Sequence, residues 1–510
     1  MQWRTTVVKN KSIIFADMKI MYCIRGLHNS GGMERVLSVK ANLLASRGHE
    51  VSIVVLRLKG RKPFFPIDPS VNIVDLSAPY LSLPGHPSSA NATSDSPRTT
   101  VSSAAGSASV PATGSARTES SASPVSSAVG SAATPATGSA RTESSASPVS
   151  STVGSTSSPA TGSASTEGIT SVPATGASER LKGSVRERLS RVVEMLDPDV
   201  CVSLCGPEVR ILPAVAGGRP CVAEYHFSHD KFYRKYGGIF LYPYAWLRTH
   251  MLERAVSEYD CMVTLTEHDL PIWKRHCRRV ERIFNPVTTP PGQVSRLAEK
   301  RMIAVGRLED QKNFKDLVSA WSIVAERCPD WRLEIFGEGK LEHALRSQIA
   351  RLGLTGSVIL CGVVKDIASE YSNSSALLMT SLHEGFPLAL VEASSFGLPL
   401  ISYDCPTGPS EIIVDAGDGG FGGDGGGVGA GAGADAGNVP AATLDQAAGN
   451  TPNGYLVPVG DVRTLADRIC RIASDDNLRL RLGAASKASS RRFTPETIIS
   501  AWEHLFSSLL

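Results

Sequence analysis

Short apolar runs alternate with amphipathic helical stretches through most of the 510 residues, and that alternation leaves few folds open. Lys19 to Ile24 reads as a buried strand. In the following stretch, RGLHNSGGMERVLSVKANLLASRGHEVSIVVL, Val36, Leu37, Leu43 and Leu44 give a helix its apolar face and Gly48 ends it. Val51 to Leu56 and Val71 to Leu76 then read as strands. Strand, helix and strand with short joins open a doubly wound α/β sheet. The pattern returns with a helix from Val185 to Leu196 and strands at Val200–Leu204, Cys221–Tyr225 and Cys261–Leu265. Tyr233 to Val256 is expected to be helical in part. Ile283 to Pro291 looks like an interdomain connection, after which the alternation restarts at Met302 and predicts a second α/β domain.

Two biased tracts interrupt this order. From Pro111 the segment PATGSARTESSASPVSSAVGSAAT recurs at Pro135 and begins again at Pro159, a period of 24. Its units lack large apolar residues with which to bury a stacked face, so Ser77 to about Lys182 is expected to be a disordered insertion and not a solenoid. GDGGFGGDGGGVGAGAGADAG, from Gly417 to Gly437, lacks the nine-residue spacing of a calcium repeat and reads as a second insertion.

A formal charge of +3 gives no nucleic-acid footprint, and 10 cysteines without CxxC spacing fit the reduced thiols of a cytoplasmic enzyme, with no zinc site expected. The first residues show no signal-peptide pattern, and those before Met18 read as an extension or as the result of a misplaced start. No window has the 18 apolar residues of a spanning helix, so any membrane contact would be peripheral, at the inner face. The basic run at 274–282 is most simply a solvated helix face; the other reading is an approach to an anionic acceptor or membrane.

Three turns fall at carboxyl ends of expected strands, where open α/β sheets place ligands. Gly31 and Gly32 let backbone approach a phosphate or sugar, or simply make a tight join. In GRLEDQKNF at 306–314, Arg307 leaves a strand and Lys312 precedes a helix; both suit a diphosphate, or pair at the surface with Glu309 or Asp310. In LLMTSLHEGFPLALVEASSFGLPLI at 377–401, a strand end runs through a turn at Ser381–Pro387 into a helix whose free N–H groups favour an anion. Glu384 and Glu392, eight residues apart, are suited to different parts of one bound molecule, or to solvent.

These residues carry a resemblance. GLHNSGGMERV at 26–36, VGRLEDQKNF at 305–314, FGEG at 336–339, HEGFPLALVEASSFGLPLISYDCPTGPSEII at 383–413 and NGYLVPVGD at 453–461 resemble the retaining glycosyltransferases of family 4. That implies an α/β chain of GT-B fold: two facing Rossmann-like domains with a cleft between them and long disordered insertions. The domains would be an extension at 1–17, an acceptor domain at 18–76 and 183–284, the repeat at 77–182, a donor domain at 292–490 with its Gly/Ala-rich insertion at 415–450, and a helix at 491–510 returning to the first domain.

The resemblance also implies site roles. Gly32, Arg307 and Lys312, with backbone near Phe386 and Leu388, would hold the donor diphosphate. Glu384 would contact the transferred sugar and Glu392 the ribose, while the base would lie by Gly337, Glu338, Val363 and Val364. His226 is the candidate histidine near the sugar; Tyr225 stands between it and Glu224, and His229 competes for the role. The expected reaction moves a hexose from a nucleotide sugar, a UDP-sugar first, to a saccharide or lipid-linked acceptor in surface polysaccharide or glycoconjugate synthesis, with no metal and no cofactor. A GT-B-type sugar-nucleotide epimerase and a non-catalytic binding or scaffold protein are the alternatives.

Overall fold

The computed structural model describes residues 17–78, 80–81, 179–180, 183–236, 238, 240–290, 292–417 and 451–510. Of the expected extension only Asp17 is among them, and nearly all of the repeat tract and of the Gly/Ala-rich insertion lies outside them.

Two parallel sheets carry the fold. The first orders its strands β3-β2-β1-β6-β7-β8-β9. These are β1 (Lys19–Ile24), β2 (Glu50–Val55), β3 (Asn72–Asp75), β6 (Val200–Ser203), β7 (Cys221–Glu224), β8 (Cys261–Thr264) and β9 (Val280–Arg282). Between β3 and β6 the chain makes a small antiparallel ladder of β4 (Tyr80–Leu81) and β5 (Glu179–Arg180), so the two ends of the repeat tract meet. The second sheet orders β12-β11-β10-β13-β14-β15, from β10 (Arg301–Val305), β11 (Arg332–Phe336), β12 (Val358–Gly362), β13 (Ala376–Met379), β14 (Leu400–Tyr403) and β15 (Gly454–Val457). Strand order reverses between β1 and β6 and between β10 and β13. At such switch points the loops diverge and leave a crevice at the carboxyl edge.

The longer helices are α1 (Gly32–Ser46), α2 (Val185–Leu196), α3 (Tyr242–Val256), α4 (Phe314–Arg327), α5 (Glu342–Arg351), α6 (Leu388–Ser395), α7 (Val462–Ser474), α8 (Asp476–Ser489) and α9 (Pro495–Ser507). Inner strands such as VCVS and ALLM are buried at every position because helices cover both sheet faces. On α1 the buried stripe is Val36, Leu37, Lys40, Ala41 and Leu44, with Leu43 only half-buried. The terminal helix α9 inserts Ile498, Ile499, Trp502, Leu505 and Phe506 into the core built by β1, β2 and α1. None of the described helices is long and apolar enough to cross a membrane.

The basic run at 274–282 is not a helix face. Trp273 and Cys277 are buried, Met262 donates to the Arg279 carbonyl, and Val280–Arg282 pairs with β8 as an edge strand. Charged side chains on an edge strand discourage pairing with another chain, which accounts for the composition without a helix. The ends of the second insertion are also tied: Asn453, fully buried, exchanges backbone and side-chain bonds with Val414.

Candidate active site

Loops leaving the neighbouring strands β10 and β13 are joined by side chains. Thr380 Oγ1 donates to the carbonyls of Lys312 (3.0 Å) and Asn313 (3.1 Å), Leu382 N donates to Gln311 O (2.8 Å), and Gln311 Nε2 donates to His383 O (2.8 Å). This clamp sets Lys312 Nζ 2.6 Å from Glu384 Oε1, with both side chains largely buried. Helix α6 starts immediately after, capped by Pro387 with no side-chain bond, and while Leu390 N donates to Pro387 O at 3.0 Å, the N–H groups of Leu388 and Ala389 stay available to an anion. Arg307 stands apart: its side chain is 69% exposed and paired with Glu309 at 3.0 Å. The structure therefore brings Lys312 and Glu384 together and leaves Arg307 at the surface.

The nucleoside candidates occupy loops on the same edge. Gly337, at φ +138°, lies so close to Gly306 O that a Cβ would sit 1.9 Å from it, and its N–H donates to Gly362 O. Gly337 and Glu338 thus follow β11 beside the Arg307 loop. Val363, exposed, and Val364, half-buried, follow β12.

The first sheet meets this edge directly. A Cβ on Gly385 would lie 2.4 Å from His226 O, and one on Gly32 would lie 3.1 Å from Leu388 Cδ1. Phe386 anchors its turn by stacking on Phe284 at 5.4 Å and meeting Phe493 edge-on. Glu392, 3% exposed, receives bonds from Thr288 Oγ1 (2.7 Å) and Tyr371 OH (3.1 Å) and an ion pair from Arg35 Nη1 (2.9 Å). Burial, and then Glu392, push the Tyr371 phenol well above its ordinary pKa, so it remains a donor.

His226 and His229 have different surroundings. His226 Nε2 lies 3.1 Å from Glu224 Oε1 at an angle that makes no hydrogen bond, and the His226 backbone abuts the Glu384 turn. Beneath it, Lys40 Nζ reaches both Glu224 oxygens at 2.5 Å and lies 4.2 Å from the Trp502 ring centroid. Burial alone would raise the Glu224 carboxyl, but Lys40 and His226 overcome it and hold it at about 2. Burial lowers Lys40, and Glu224 opposes that. The His229 ring is committed elsewhere: Nε2 contacts Glu253 Oε1 at 2.9 Å and the ring meets Trp273 edge-on. His229, Glu253 and His276 place three potential metal-ligand atoms within 4.8 Å of one another, in the helix layer of the first sheet.

Sequence reasoning missed Arg35, Thr288, Tyr371 and the Lys40–Glu224 pair. Lys40 carried a signal, since it falls three and four residues after Leu37 and Val36 on the apolar stripe of α1, where an unpaired lysine is not tolerated. Arg35, Thr288 and Tyr371 carried none, because their meeting at Glu392 depends on how the two sheets approach.

Residues 290–423 match the family model described as Glycosyl transferases group 1. The matched segment contains Lys312, Glu384 and Glu392, and runs from just before β10 into the Gly-rich tract. An uncharacterized glycosyltransferase of Haemophilus influenzae is 32% identical over 252 residues, covering 49% of this chain and 62% of the relative. The amylovoran biosynthesis glycosyltransferase AmsD of Erwinia amylovora is 28% identical over 209 residues, covering 41% and 48%. The chain spans about half the length of the curated relatives it matches. Anabaena Alr3699/HepE, solved with UDP and glucose, aligns over 96% of this chain and 100% of its own at a TM-score of 0.56 and 13% identity. At that identity the likeness is one of fold: the matched segment is the second half of a GT-B architecture.

Proposed function

We propose that the chain is a retaining glycosyltransferase that moves a hexose from a nucleotide sugar, with a UDP-sugar favoured, to a saccharide or lipid-linked acceptor. The observation that carries the reading is the Lys312–Glu384 pair beside the uncapped start of α6, against Gly385 and His226. In the proposed step the bond from the sugar C1 to the β-phosphate oxygen breaks, and Lys312 with the first-turn N–H groups of α6 takes up the developing charge. The acceptor hydroxyl forms the new C1–O bond on the same face. Its proton passes to the departing diphosphate.

Glu384 orients the sugar hydroxyls, Glu392 the ribose, and Gly32 with the backbone near Phe386 and Leu388 lines the diphosphate. The base lies by Gly337, Glu338, Val363 and Val364, and His226 stands near the transferred sugar. Arg307 joins the diphosphate by leaving Glu309. With two side-chain cations at hand, departure of the diphosphate without a metal is the simpler reading. Surface polysaccharide or glycoconjugate synthesis is supported by the relative in amylovoran biosynthesis. A cytoplasmic enzyme at the inner membrane face fits the exposed run Phe240, Leu241, Tyr242, Tyr244, Trp246 and Leu247, beside exposed Lys235 and Arg248.

Incubation with a panel of UDP- and GDP-sugars, scored for donor cleavage without acceptor, tests the proposal. Release of free sugar from one donor is expected. Epimerised nucleotide sugar would instead establish the epimerase, and failure to bind any donor would leave the scaffold reading.

A further inference from the structure

A cavity of about 460 Å³ opens at the carboxyl ends of β1 and β2 and shares no lining residue with the Lys312–Glu384 turn. Its size falls in the range of small-molecule sites. Arg25, Arg57, Lys59 and Arg61 line it, together with His28, Asn29, Met33 and Glu34. The one carboxylate there, Glu34, accepts from Asn29 Nδ2 at 3.2 Å.

Among the described residues the four cations have no ion-pair partner, whereas Arg35 and Lys40 on the adjoining α1 and Arg47 just after it are each paired with a glutamate. Like charges gathered on a concave wall repel one another, and a multiply charged anion relieves that repulsion. The loop that presents them is held in place. Lys59 sits at φ +55° and Gly60 at +68°, with Leu58 N bound to Asp75 Oδ1, Lys59 N to Ser77 Oγ and Phe64 N to Leu27 O. A lysine kept in the left-handed region by tertiary bonds marks a position that the fold defines. The buried Nδ1 of His28, on the same wall, has no partner.

The pocket adjoins the proposed transfer site. The first turn of α1 that brings Gly32 against Leu388 also supplies Met33 and Glu34 to this wall. Guanidinium forks match phosphate oxygens in pairs, and four cations against one carboxylate suit a group carrying more charge than a single uronate. We propose that this pocket holds a phosphate or pyrophosphate of the acceptor, so that the sugar goes to a phosphorylated glycan or carrier and not to a neutral saccharide. Calling the occupant an acceptor rests on the transferase reading above; anion binding by the pocket does not.

The test titrates inorganic pyrophosphate into the full chain carrying Arg307→Gln and Lys312→Gln, which disable the proposed donor site, and compares it with the same chain carrying Arg57→Gln and Arg61→Gln in addition. Arg57, Arg61 and Arg307 are exposed, and Arg57→Lys with Arg61→Lys in the same background serves as the charge-retaining control. The Gln pair is expected to weaken binding by about tenfold or more, and the Lys pair, which keeps the charge but loses the forks, to weaken it less. Unchanged affinity in the Gln pair, or equal loss in both pairs, would overturn the proposal. Glucose 1-phosphate and detergent-solubilised farnesyl pyrophosphate form two further arms. Sensitivity to the Gln pair with the first assigns a soluble phosphorylated glycan, and with the second alone a lipid-linked carrier. Competition by neutral methyl glucoside as effective as that by pyrophosphate would also overturn it. Donor hydrolysis by the wild-type chain decides the transferase reading separately.

Discussion

Lys312 and Glu384 neutralise each other while no donor is bound, and a diphosphate arriving at α6 would compete with Glu384 for the ammonium group. Lys312→Ala removes the cation and leaves a carboxylate that is 10% exposed without its partner. We expect turnover to fall by about two to three orders of magnitude, the usual cost of removing one preorganised electrostatic group. Glu384→Ala should lower it comparably, with far-UV circular dichroism unchanged in both; wild-type kcat in either folded variant would remove that residue from the site. Glu224 makes a pH-dependent contribution. Its folded-state value of about 2 lies below the ordinary carboxylate value, so the stability it supplies, about 3 kcal/mol, is complete above the unfolded value and is lost as pH falls toward 2. Acid unfolding followed by fluorescence should therefore show a shallower loss between pH 4.5 and 2 in Glu224→Gln than in the wild type, about its own neutral-pH stability. Equal slopes would mean that Lys40 and His226 do not hold that carboxyl down.

Among the elements, strands and long helices were legible because periodicity and burial agree there: ALLM and VCVS admit no polar face, and α6 follows a turn that no helix could include. The terminal helix was legible as amphipathic, yet its destination came only from the family resemblance, since Trp502 and Phe506 by themselves would suit any apolar groove. The edge strand β9 was hidden because its three residues, VER, hold too few side chains to show a period of two. Likewise the Lys312–Glu384 contact was readable as two candidates but not as a bond, because the Thr380 and Gln311 clamp that makes it joins residues about seventy apart. The packing of α9 has a measurable consequence. Trp502 is 1% exposed and lies over Lys40, so Trp502→Ala should cost about 3–5 kcal/mol in urea unfolding and release the Lys40–Glu224 pair from its cover. A loss below about 1 kcal/mol would show that α9 is dispensable to the first sheet.

For the whole molecule, the repeat tract has its consequence at the ladder that closes it. Tyr80 pairs with Arg180 and Leu81 with Glu179, so the chain leaves and re-enters the fold at one place. A short hairpin can replace what lies between without moving β3 or α2. Closing a loop of roughly a hundred residues costs only about 2 kcal/mol more than closing one of about ten, because the entropy grows with the logarithm of length. Deleting Ser88 to Gly176 should then leave donor cleavage at the wild-type rate and raise the melting temperature by a few degrees, by about the amount that 2 kcal/mol gives a chain of this size. Both readouts are needed. A deleted chain that folds but no longer cleaves the donor would make the tract part of the transfer machinery, and one that fails to fold would show that the ladder depends on residues within it; either result ends its description as a passive insertion.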